Sequence, residues 1–178
     1  MQSKKKVYYL VEGAMIASLY VVLTFSQELL LPGTTSMAVQ FRLSEILCIL
    51  ALFTPSAIWG LTVGTLISNL LSVGALPLDI VFGTFATFIA VTLVHKLKDV
   101  NWFRLPILSC LMPAVANGII IGMELEIFLI SGPFHIGSFL LQSLTVALGE
   151  FGVCVVLGLP FFKLLERVDV FSKLHKRL

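Results

Sequence analysis

The charges of this chain stand in short runs separated by long apolar stretches, and that pattern leaves few ways to fold. Lys4, Lys5 and Lys6 precede the first stretch, Lys96, Lys98 and Arg104 stand together mid-chain, and Lys163, Arg167, Lys173, Lys176 and Arg177 gather at the end. Of 12 lysines and arginines only Arg42 stands apart. Charged residues make up 12% of the 178, against about 25% in a soluble domain. A bilayer core about 30 Å thick takes about 20 apolar residues per helix, and several stretches approach or exceed that length. A soluble globular domain is thereby excluded. The chain reads as a single integral membrane domain, residues 1–178, all-α and polytopic.

The cationic runs flank apolar spans, so they read as solvated juxtamembrane faces and not as a nucleic-acid surface. Lysines before an apolar run also begin signal peptides. Here no small-residue cleavage site follows and further spans do, which points to an uncleaved first helix. Cys48, Cys110 and Cys154 fall singly in three spans, a spacing that suits core packing and suggests neither a metal site nor a disulfide framework.

Six spans are expected, at about residues 8–31, 41–53, 55–71, 79–94, 105–130 and 137–166. Pro32-Gly33 and Ser131-Gly132-Pro133 end two of them, and Thr54-Pro55 resembles an N-cap with a first-turn proline. Hydropathy alone leaves residues 41–71 open between one kinked helix and two antiparallel ones, because 13 residues reach only about 20 Å. Charge decides between them. Six spans put eleven of the twelve cations on one side, whereas five would split them. The bias of cationic loops toward the cytoplasm then places both termini inside.

In that topology the outer half holds Glu28, Arg42, Glu45, Asp79, Glu124, Glu126 and Glu150. Ionisable groups inside a span are costly and usually face the bundle interior or a watery cavity. Arg42 and Glu45, three apart, share a helix face. Asn117 and Glu124 are two turns apart, as are Ser143 and Glu150, while Asn69 and Asp79 would complete a ring. Simpler readings compete. An Arg42–Glu45 pair also neutralises a helix end, Asp79 suits the first turn of a helix, and Glu28 suits a solvated loop edge. Glu124 and Glu126 point to different faces, so only one is expected inward. Asn117 also fits an interhelical hydrogen bond. Glu150 is hardest to dismiss, since it lies deep in an apolar span with no cation near it in sequence. Carboxylates and amides of this kind suit a small heterocycle with several N–H edges, especially one bearing an amine.

Gly13, Ala14, Ala17 and Ser18 repeat small residues at i, i+4 along the first span. Such a face serves either bundle packing or docking of another membrane subunit. The chain has no G-x-x-x-x-G-K-[ST] phosphate loop, no G-x-S-x-G elbow and no H-E-x-x-H pair. An enzyme is therefore not expected, and neither a metal nor a cofactor is called for. A stand-alone carrier that moves protons through Glu124 or Glu150 is the alternative to a motor-driven importer.

Four segments carry a family resemblance: Val39-Gln40-Phe41-Arg42-Leu43-Ser44-Glu45, Phe53-Thr54-Pro55-Ser56-Ala57-Ile58, Asp79 through Thr87, and Val146-Ala147-Leu148-Gly149-Glu150. In this order they resemble the QueT family over essentially the whole chain, the first and last segments being the more specific. Gly118 and Thr84 depart from it, where alanine and serine are expected. The resemblance implies a substrate-binding S component of an energy-coupling factor (ECF) transporter for queuosine precursors, in a prokaryotic plasma membrane. Its partners would be a transmembrane coupling protein and two ATPase subunits. Its cargo would be a 7-deazaguanine base, in the aminomethyl form. Arg42, Glu45, Asn69, Asp79, Asn117, Glu124 and Glu150 would line the site, and Gly13, Ala14, Ala17 and Ser18 would dock.

Overall fold

The computed structural model describes residues 2–32, 34, 41–72, 77–100, 102, 105–130 and 132–168. Arg104, most of the expected loop after the first span and the basic tail with Lys173, Lys176 and Arg177 lie outside them. Among the described residues there are six helical segments and no strand beyond one isolated bridge, Trp102 with Leu105. They are α1 (Gln2–Leu30), α2 (Leu43–Leu52), α3 (Ser56–Leu71), α4 (Pro77–Lys96), α5 (Ile107–Leu129) and α6 (Ile136–Val168). α1, α4, α5 and α6 are long and apolar enough to cross a membrane, whereas α2 and α3 are shorter apolar helices.

The burial pattern is that of a membrane bundle turned toward its own polar groups. Leu29, Met15 and Leu148 are 82%, 69% and 67% exposed, while Glu45, Glu124 and Glu150 are each 1% exposed. In water such a distribution would forfeit the hydrophobic effect; in lipid it costs nothing, and it shields the charged groups from hydrocarbon.

α1, α3, α4, α5 and α6 pack in that order, each on the next, and α2 sits in the middle touching all five. α2 is a ten-residue 3-10 helix and not the α-helix expected from its apolar run. At about 2.0 Å rise per residue it reaches about 20 Å, a third further than an α-helix of equal length. Leu47, Cys48, Leu50 and Ala51 bury against Ile16 and Tyr20 of α1, Ala57 and Leu61 of α3, and Val91 and Val94 of α4. Two other helices also leave α geometry: α5 passes into a π-turn at Leu125–Leu129 and α6 into one at Gly152–Leu157.

Close approach of α1 and α3 requires glycine at two levels. A Cβ on Gly60 would stand 3.1 Å from Gly13 Cα, and one on Gly64 would stand 3.2 Å from Ala17 Cα. Gly13 and Ala17 are accordingly buried against α3, while Ala14 and Ser18 are exposed. α1 and α6 both pack on α2, and Leu47 and Leu50 of α2 join residues of α1 and α6 in lining an apolar cleft of about 870 Å³.

Gly60→Val and Gly64→Val should each push α1 off α3, lowering the stability of the detergent-solubilised protein by about 1–3 kcal/mol. Thermal unfolding compared with Gly137→Val checks this, since a Cβ at Gly137 meets nothing within 4 Å.

Candidate functional site

A stripe of polar side chains on α1 organises the site. Tyr20, Thr24 and Gln27 recur at i, i+4 and i+7, so they share one face, and all three are buried. The stripe fastens residues 41–45 to α1. Tyr20 Oη donates to Glu45 Oε1 at 2.6 Å, and Thr24 Oγ1 donates to Ser44 Oγ at 2.9 Å. Gln27 Oε1 accepts the Leu43 N–H at 2.7 Å, and its amide donates to the Phe41 carbonyl and, at 3.0 Å, to Thr34 Oγ1. The first N–H groups of a helix lack intrahelical partners, and here a side chain of another helix supplies one. Arg42, extended just ahead of α2 with φ −105° and ψ 104°, is thereby held in the bundle interior.

Arg42 Nη1 donates to Asn69 Oδ1 at 3.3 Å, and Asn69 Nδ2 donates to the Asp79 carbonyl at 2.8 Å. This ties α2, α3 and the first turn of α4 together. Glu45, Glu150 and Asp79 are the acidic neighbours of Arg42, and Tyr20 adjoins it. Glu124 in turn neighbours Asp79 and Arg42. Of the seven residues expected from the sequence, six thus converge: Arg42, Glu45, Asn69, Asp79, Glu124 and Glu150. Asn117 is 5% exposed on the Glu124 face of α5, and among the described residues no hydrogen bond joins it to the others.

Several groups that the sequence suggested for other roles belong here. Cys48 and Cys154 are buried as expected, yet both address the site. Cys48 Sγ donates to Glu45 Oε2 at 3.0 Å, and Cys154 Sγ lies 3.7 Å from the Glu45 carbonyl and from Glu150 Oε2. Among the described residues no three His, Cys, Asp or Glu side chains are placed to share a metal ion. Glu126, expected to face away from the bundle if Glu124 faces in, is also buried, because the π-turn re-aims the end of α5. It accepts the His135 N–H at 2.9 Å, just ahead of α6, which is a capping role. Glu28, expected to be solvated, accepts from Ser72 Oγ at 2.5 Å and joins the ends of α1 and α3.

Glu12 lies outside every sequence expectation. Its Oε2 accepts from Thr54 Oγ1 at 2.8 Å and from Ser56 Oγ at 2.7 Å, securing α1 to the start of α3. Thr54 Oγ1 also receives the Ser56 N–H at 3.3 Å, so the expected threonine cap is present and Glu12 completes it. Of the missed residues, Tyr20 was legible: with Thr24 and Gln27 it forms a polar face in an otherwise apolar span. Glu12, with one turn between it and the nearest lysines, carries no such signal.

Against this geometry, comparison with known proteins is decisive. The QueT transporter family matches residues 10–167. The chain belongs to that family. It is also 33% identical, over 94% of its length and 98% of the relative's, to a protein of Lactococcus lactis subsp. cremoris named Queuosine precursor transporter QueT. No solved structure matches it. The match spans α2 to α5 in full, most of α1 and α6, and every converging residue.

Glu12→Ala should lower stability by about 1–3 kcal/mol, since it removes the acceptor of the buried Thr54 and Ser56 hydroxyls. The same substitution should leave ligand affinity unchanged, because Glu12 takes no part in the Arg42 cluster. Thermal unfolding and calorimetric binding on one preparation check both halves.

Proposed function

We propose that this chain is the substrate-binding membrane component of an ECF-type, ATP-driven importer, taking a queuosine precursor. The proposed ligand is a 7-deazaguanine base in the aminomethyl form, and Arg42, Glu45, Asn69, Asp79, Asn117, Glu124 and Glu150 form its site. The observation that carries this reading is the convergence of four buried carboxylates on one arginine inside an apolar bundle. Such a cluster has an acidic excess, and a ligand rich in N–H groups and bearing an ammonium complements it. The name of the Lactococcus relative points to the same substrate class.

The single domain, residues 1–178, crosses the membrane six times in this reading, with both termini cytoplasmic. Lys4, Lys5, Lys6, Lys96, Lys98, Lys163 and Arg167 then share the inner side, and the cluster opens outward. The chain does no chemistry on its cargo. Docking on a coupling protein with two ATPases uses the outer face of α1. Of the four small residues, Ala14 and Ser18 line the cleft beside α6; Gly13 and Ala17 serve the contact with α3 that keeps α1 in place.

Calorimetry with aminomethyl- and cyano-deazaguanine tests the substrate: absence of binding by either would refute it. Glu150→Gln should weaken binding by at least about tenfold, as expected for a hydrogen bond to a charged group. Uptake assays in vesicles separate the motor-driven reading from the proton-coupled carrier. The chain alone should transport nothing, and uptake without ATP or a coupling subunit would favour the carrier. Ala14→Trp with Ser18→Trp should abolish uptake in cells holding the complete transporter and leave binding intact.

A further inference from the structure

The carboxylates around Arg42 are unequal in what already holds them. Both oxygens of Glu45 have donors, the Tyr20 hydroxyl at 2.6 Å and the Cys48 thiol at 3.0 Å. Asn69 is engaged at both ends, by Arg42 and by the Asp79 carbonyl. Glu124 is 1% exposed and has no donor on either oxygen, and Glu150, equally buried, has none on Oε1. Glu124 meets another carboxyl group, that of Asp79, which offers no N–H. A buried acceptor without a donor is expensive. Glu12 Oε1 and Glu126 Oε2 also lack a donor but are no part of the Arg42 cluster; the three such oxygens within it, on two neighbouring helices, mark a place where donors are to be supplied from outside the protein.

Helix geometry singles out the same two residues independently. The π-turn of α5 begins at Leu125, directly after Glu124, and that of α6 begins at Gly152, two residues after Glu150. π-turns are rare and gather at functional sites. α5 and α6 are also in close contact here: a Cβ on Gly118 would lie 3.0 Å from the Ser143 carbonyl oxygen, so one small ligand can touch both helices.

We infer that the site divides its carboxylates between two tasks: Glu124 and Glu150 read the ligand's N–H groups, while Glu45, held by Tyr20 and Cys48, positions Arg42. Glu124, with no N–H donor on either oxygen, takes a pair of adjacent N–H donors side by side, as the amine and ring N–H of an aminopyrimidinone edge present them. Glu150, with one open oxygen, takes a single further donor. Tyr20 is a positioning residue that acts through Glu45. The assignment rests on the deazapurine reading above.

The test is a set of binding titrations on the detergent-purified full chain, using a 7-deazaguanine precursor and its analogue lacking the exocyclic 2-amino group. Wild type should bind the analogue at least about tenfold more weakly. With Glu124→Gln the two ligands should differ much less, because the group that reads the amine is gone. Tyr20→Phe and Glu45→Gln should each weaken binding, and the double variant no more than Glu45→Gln alone, the signature of residues acting as one unit. Equal discrimination by wild type and Glu124→Gln would overturn the reading role of Glu124. Additive losses for Tyr20→Phe and Glu45→Gln would overturn the positioning role of Tyr20. The wild-type comparison needs no variant to fold, and indifference of wild type to the 2-amino group would overturn the paired contact. Failure of wild type to bind either compound is a separate outcome, and it overturns the deazapurine reading itself together with the assignment built on it.

Discussion

A guanidinium held inside an apolar bundle governs most of this structure. Arg42 is partly withdrawn from water, and an uncompensated charge drawn into a low-dielectric interior costs several kcal/mol or more. Its own segment supplies part of the compensation, through Glu45. The rest comes from Asn69 on α3, Asp79 on α4 and Glu150 on α6. Each helix contributing a partner is thereby fixed in rotation, because turning it by one residue would remove the partner and leave the charge alone. Conformational specificity of this kind is the best argument for keeping an ion in a core.

α2 shows what that constraint costs in backbone geometry. Ten residues in 3-10 form are far beyond the usual three or four, and the segment keeps its place by being touched on all sides and sewn to α1 by Tyr20, Thr24 and Gln27. The π-turns of α5 and α6 are the complementary irregularity. One wall of the site, made by α1, α2, α3 and the start of α4, has its carboxylates and amide engaged by neighbours. The opposite wall, α5 and α6, carries the carboxylate oxygens left open. In the proposed reading, a site so divided is preorganised on one side and completed by its ligand on the other, which limits the ordering that binding must impose.

α1 has two faces with different tasks. Gly13 and Ala17 admit α3 to close packing, and Tyr20, Thr24 and Gln27 extend that buried face toward the site. Ala14, Met15 and Ser18 look outward over the cleft beside α6. In the proposed transporter a coupling subunit would meet one face of α1 while the ligand cluster depends on the other. In that reading the helix physically joins the docking face to the ligand cluster.

Much of this was legible in the sequence because membranes impose simple rules. Long apolar runs must be helical when water is absent to satisfy the backbone, and charges such as Arg42, Glu124 and Glu150 cannot sit in a span without partners, so their convergence followed from cost alone. Small residues at i, i+4 announced a close helix contact, but spacing could not say that Gly13 and Ala17 belong to α3 while Ala14 and Ser18 face outward. That division depends on which neighbour occupies which side. Nor does hydropathy distinguish 3-10 from α, or reveal a π-turn, because these differ by fractions of a turn that only packing selects. The sequence by itself determined a helical membrane bundle with a buried polar cluster, through the energetics of charge and hydrogen bonding in lipid. Tertiary structure alone decided which carboxylates are already satisfied and which remain open, because a donor such as the Tyr20 hydroxyl, 25 residues from Glu45, is recruited by proximity in space and not by position in the chain.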